Sequence, residues 1–140
     1  MYGNVPWKDY SENIKEIVFR EGITDISNQA IGKGGGGRHQ NLEKVTIPSS
    51  VTYIAFGAFR DLPKLKEVVF SEGLQEIAQA AFENTGIESL TLPDSLKTLG
   101  EFSFSGCTSL KRLDLGNGVE TIKHHAFYNC TGLTINKYNV

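Results

Sequence analysis

Cysteine is scarce: the 140 residues hold only two, too few for a disulfide scaffold. No sign of charge dominates either. Fourteen Lys and Arg face sixteen Asp and Glu, for a net charge of −2 and a pI near 5.9. Nothing in that balance favours nucleic acid or an anionic membrane as partner. The sequence has no run of about 20 apolar residues, so no membrane span is expected. The opening MYGNVPWKDY lacks a basic stretch followed by an apolar one, so no signal peptide is expected there. What is present is ordinary for one domain: 39% hydrophobic and 21% charged residues, which excludes a disordered tail.

Chemistry-bearing motifs are also missing. There is no G-x-S-x-G, no H-E-x-x-H and no C-x-x-C. The glycine-rich stretch 32–37 fails as a phosphate cradle, because Lys33 is followed by Gly34 rather than Ser or Thr. It reads as a flexible loop with a basic tip of Lys33, Arg38 and His39. His124 and His125 are adjacent and do not face one another as a metal pair would. Glu67, Glu72 and Glu76 read as solvated charges. The expectation is a non-enzyme with no catalytic residue, no cofactor and no metal site.

The informative signal is a repeat. Ile14, Leu42, Leu65, Ile87, Leu110 and Leu133 open successive units at spacings of 28, 23, 22, 23 and 23. Each opening residue is followed at +3 and +5 by two apolar residues, as in Val45/Ile47, Leu90/Leu92 and Leu113/Leu115. A turn comes next, such as Pro48-Ser49-Ser50 or Ser71-Glu72-Gly73. A second apolar pair follows (Val51/Ile54, Leu74/Ile77), then a pair such as Ala58-Phe59, Ala81-Phe82, Ser103-Phe104 or Ala126-Phe127. The first unit carries five extra residues around the glycine stretch, and the third is one residue short.

Alternate residues of a strand share a face, so the +3/+5 pattern predicts a short strand with one buried side. The second apolar pair predicts another very short strand, and the segment before Ala-Phe about one helical turn. One unit cannot bury its apolar face alone; stacked units share a core, Leu over Leu and Phe over Phe. The fold class expected is a β-rich repeat solenoid of five units of about 23 residues, with short parallel strands on its concave face. Residues 1–13 read as an N-terminal cap, in which Trp7 and Tyr10 plug the apolar end. Residues 14–135 form the solenoid and 136–140 a tail. Cys107 and Cys130 fall in one slot of adjacent units, filled by Leu62 in unit two. Free stacked thiols are the preferred reading and a disulfide the alternative.

The segment Val45-Thr-Ile-Pro-Ser-Ser-Val-Thr-Tyr-Ile54 with Ala58-Phe59, and Ala126-Phe-Tyr-Asn-Cys-Thr-Gly-Leu133, resembles the BspA-like leucine-rich repeat family. Its pattern runs V-x-I-P-x-x-V-x-x-I-x-x-x-A-F-x-x-C-x-x-L. The resemblance implies a bacterial surface or secreted protein, hence an extracellular or cell-surface location, and a role in adhesion or binding to host proteins.

Outward positions of the first strands form two columns: Val18, Thr46, Val69, Thr91 and Asp114, and Glu16, Lys44, Glu67, Ser89 and Arg112. Charges in the second alternate, so neighbours about 4.8 Å apart are set to pair laterally. These ten residues are the expected protein-binding face. The partner expected is a protein, such as a host surface or matrix protein. The alternative is a structural spacer or self-assembly element, joining copies through the terminal repeats into a homo-oligomer.

Overall fold

The computed structural model describes residues 11–32 and 39–134. Coils one to five begin at Ile14, Leu42, Leu65, Ile87 and Leu110. Each contributes a three-residue strand, then a two-residue strand. The first strands are β1 (Glu16–Val18), β3 (Lys44–Thr46), β5 (Glu67–Val69), β7 (Ser89–Thr91) and β9 (Arg112–Asp114). The second strands are β2 (Asp25–Ile26), β4 (Tyr53–Ile54), β6 (Glu76–Ile77), β8 (Thr98–Leu99) and β10 (Thr121–Ile122). All ladders are parallel, and β2-β4-β6-β8-β10 is one continuous sheet. The first strands form two blocks, β1-β3-β5 and β7-β9, so the short third unit interrupts that ladder. The stack still continues beside the gap, where Glu88 N donates to Lys66 O at 3.3 Å.

A third seam runs through the Ala-Phe segments. Ile31 N donates to Ala58 O, Phe59 N to Ala81 O, Phe82 N to Ser103 O and Phe104 N to Ala126 O, all at 2.8–2.9 Å. These segments are tight turns, where the sequence suggested about one helical turn. The reason lies in the backbone: Gln29, Gly57, Ala80, Phe102 and His125 share one slot and all have φ between 51° and 60°. A left-handed residue cannot continue a right-handed helix. Among the described residues the only helical segment is a 3-10 turn at Ser11–Asn13.

The core is the predicted stack. Leu42, Leu65, Ile87 and Leu110 are fully buried, as are Phe59, Phe82 and Phe104. The rings of Phe59, Phe82, Phe104 and Phe127 lie nearly parallel, with centroids 4.9, 5.2 and 5.6 Å apart in succession. Burial of each such side chain contributes roughly 1.5–3 kcal/mol, and offset ring pairs about 0.5–1.5 kcal/mol more. His39 is 3% exposed, which corrects its placement on an exposed basic tip. Lys33 and Arg38 lie outside the described residues, as do Trp7, Tyr10 and the tail 136–140.

Candidate protein-interaction face

The first-strand face is set by register. Glu16 pairs with Lys44 and Lys44 with Glu67; Val18 pairs with Thr46 and Thr46 with Val69. Across the second block, Ser89 pairs with Arg112 and Thr91 with Asp114. The ten outward residues therefore stand in two columns, divided between coils three and four where the strand ladder stops. Apolar residues alternate beneath them, fully buried in the middle of the stack, as with Val45 and Ile47 under Thr46, and half-buried in the end coils, as with Ile17 and Leu113. Val18 remains 60% exposed and Val69 39%. Lys44 Nζ reaches Glu67 Oε1 at 3.3 Å, the lateral pairing that the alternating charges suggested.

One position earlier lies a column that the sequence reading passed over: Lys15, Glu43, Lys66, Glu88 and Lys111. Lys15 Nζ lies 3.9 Å from Glu43 and Lys66 Nζ 3.5 Å from Glu88. In coil four Ser89 is neutral and in coil five Lys111 lies beside Arg112, but over coils one to three the two columns make a checkerboard, each acid beside a base. Its signal was the same spacing of about 23 residues, read one residue upstream. Exposed pairs like these contribute about 0–1 kcal/mol each, so they set pattern more than stability.

The turns after the first strands carry a second feature. Glu21 accepts hydrogen bonds from Ser49 N, Ser49 Oγ and Ser50 N at 3.0, 2.8 and 3.0 Å. Glu72 accepts from Asp94 N and Ser95 N at 3.0 and 2.9 Å. Asp94 accepts from Asn117 N at 2.8 Å. Glu72 is thus a clasp on the next turn rather than a merely solvated charge. The Ser49 hydroxyl, with the other donors, holds the Glu21 carboxyl below its ordinary value, against an opposing desolvation.

Cys107 and Cys130 are free thiols. Cys107 Sγ donates to Phe82 O at 3.3 Å and Cys130 Sγ to Phe104 O at 3.2 Å. Burial pushes both upward, Cys130 to about 11 with Cys107 nearby adding to the rise. Among the described residues no three His, Cys, Asp or Glu side chains are grouped to hold a metal, and no helix is long and apolar enough to cross a membrane.

Known proteins share this architecture. A leucine-rich repeat protein of T. pallidum is 29% identical, with a TM-score of 0.79 over 86% of this chain and 56% of its own. A leucine-rich cell surface protein of Faecalibacterium prausnitzii is 27% identical, TM-score 0.78, over 86% of this chain and 31% of its own. The pneumococcal vaccine antigen PcpA is 26% identical, TM-score 0.69, over 86% and 33%. The chain thus spans roughly a third to just over half of the length of these structures. No curated protein sequence matches it. The family model for the BspA type leucine rich repeat region matches residues 38–139 in six copies. With its parallel coils, its repeat spacing and that match, the chain belongs to the BspA-type leucine-rich repeat family.

Proposed function

We propose that this solenoid is a non-enzymatic module of a bacterial cell-surface or secreted protein, and that it binds a protein partner in adhesion. The observation that supports this is the first-strand face. Its side chains stand in register on a backbone fixed by the ladders, and Val18 and Val69 are exposed there without serving the core. Apolar β-branched residues framed by a charge checkerboard suit a protein surface: the Val/Thr column supplies area and the charges set register. Glu16, Lys44, Glu67, Ser89 and Arg112 frame the contact, and Val18, Thr46, Val69, Thr91 and Asp114 fill it. The surface location rests on the family and on the named cell-surface relative.

The test is surface plasmon resonance against immobilised fibronectin, laminin and collagen. Replacing Lys44, Glu67 and Arg112 together by Ala should abolish whatever binding the unaltered chain shows, with the circular dichroism spectrum unchanged. Unaltered affinity in the triple variant overturns the face assignment.

A further inference from the structure

We propose that the second-strand face of coils one and two carries a saccharide-binding site, separate from the first-strand face. An open depression of about 600 Å³ lies there, lined by Thr24, Asp25, Ser27, Asn28, Thr52, Tyr53 and Ala55. Five of these seven side chains are hydroxyls, an amide and a carboxylate; Tyr53 presents an aromatic ring and Ala55 a methyl group.

Tyr53 is the only aromatic residue in its outward column. The register places Asp25, Tyr53, Glu76, Thr98 and Thr121 in one row down the sheet. Tyr53 is 38% exposed, so part of a large ring meets water on a face where the other coils place only polar residues. A pyranose offers a patch of C–H groups that packs on such a ring, and a rim of hydroxyls that needs partners able both to donate and to accept. Ser27, Thr24, Thr52 and Asn28 are of that kind. Asp25 is a strong acceptor beside them, and Thr24 Oγ1 donates to its Oδ2 at 3.2 Å, which orients the carboxylate and leaves Oδ1 for a ligand hydroxyl. Thr52 Oγ1 is tied to Thr24 O at 3.3 Å, so two adjacent coils hold the rim together.

The same face changes character further along. Coils four and five cover it with the Lys97–Glu120 ion pair at 3.1 Å, and Lys123 occupies the slot that is Ala55 in coil two. Ala55 is buried there and leaves the depression open. The hydroxyl- and amide-lined surface around the Asp25 carboxylate is confined to the first two coils. An ordinary cation site is the competing reading, with Tyr53 between the Asp25 and Glu76 carboxylates. The four hydroxyl and amide groups around the depression favour a neutral polyol, since a quaternary cation takes no hydrogen bond and an ammonium can only donate, so neither uses the donor half of these groups.

The whole chain, labelled with nitrogen-15, is titrated with methyl glycosides of glucose, galactose, mannose, N-acetylglucosamine, fucose and glucuronate, and separately with tetramethylammonium. The expected result is a saturable shift of the amides at 24–28 and 52–55 with at least one glycoside. Tyr53→Ala should weaken that binding about tenfold or more, through loss of the ring contact. Asp25→Asn, which keeps the volume and the fold, should weaken it too, while the Lys44, Glu67 and Arg112 variant leaves it intact. Silence of these amides with every glycoside, shifts that survive both site variants, or a response to tetramethylammonium alone would each overturn the proposal. Failure of the first-strand face to bind protein has no bearing on these shifts.

Discussion

The carboxylate of Glu21 closes on Ser49, one coil further along, taking its backbone N–H at 3.0 Å and its hydroxyl at 2.8 Å. The bond joins two turns that share no strand pairing. The Glu21 carboxyl lies below its ordinary value, so this contact stabilises the fold above the unfolded carboxylate range and is lost as pH falls through the folded value. Glu21→Gln should therefore lower the melting temperature at neutral pH. The gap between variant and unaltered chain should narrow as pH falls below the ordinary carboxylate range and close once the folded carboxyl is protonated. A gap that is constant across this range would show that the charge of Glu21 is irrelevant.

Gly22 and Gly73 occupy the same turn slot, with φ of 107° and 120°. A Cβ on Gly22 meets nothing within 4 Å, whereas one on Gly73 collides with the carbonyl oxygen of Ser49. Gly22→Ala should cost the backbone strain alone, about 1–2 kcal/mol. Gly73→Ala should cost roughly 1–3 kcal/mol more. Chemical denaturation of the two variants separates strain from collision; equal losses would place the coils further apart than described.

Ser103 sits in the slot that is Ala58, Ala81 and Ala126 elsewhere, is fully buried, and its hydroxyl has no hydrogen-bond partner. Ser103→Ala removes an unsatisfied polar atom and nothing else. The variant should gain about 1 kcal/mol, read as a higher urea midpoint. A drop in the midpoint would mean that the hydroxyl is satisfied in solution.

Leu65 and Leu110 are fully buried openers of coils three and five. Either Leu→Ala change should cost about 2–5 kcal/mol, the transfer term plus the cavity left behind. Near-neutral values by thermal melting would contradict the stacking register.

With Cys130 at about 11 and Cys107 also raised by burial, both stay protonated at neutral pH. Because the thiolate is the nucleophile, iodoacetamide should modify the folded chain about a hundredfold more slowly than free cysteine, and both thiols quickly in urea. Rapid labelling of the native chain would place these sulfurs in water.

The fold was legible because its core obeys a period. Once Leu42, Leu65, Ile87 and Leu110 are aligned, every buried Phe and every strand follows from alternation. The outward columns at Lys44 and Glu67 follow in the same way, since the partner of each residue lies one repeat away. The turns were less legible. Whether Phe102 adopts a left-handed φ of 55° depends on the backbone bonds of the coils on either side, and nothing in its own side chain announces it. The clasp of Glu72 was hidden for a related reason: its partners are backbone N–H groups of Asp94 and Ser95, which carry no residue identity. His39 misled because composition marks a loop but not where the loop re-enters the core. The polar depression around Tyr53 needed the register of β2 on β4, since its residues come from two stretches 28 positions apart.

The break between β5 and β7 gives the array an asymmetric seam. A stack held only by neighbours parts where the joint is weakest, and here the joint between coils three and four lacks one of its ladders, while β6 still pairs with β8, Phe82 still bonds Ser103, Glu88 N still reaches Lys66 O and Glu72 still clasps the turn of coil four. Pulled along its axis, the molecule is expected to open like a book at that page, with the second-strand sheet as the spine. Steered extension in an optical trap should show it as a first short yield before the coils unravel one by one; a single event for the whole chain would mean that the seam bears load as well as any other joint.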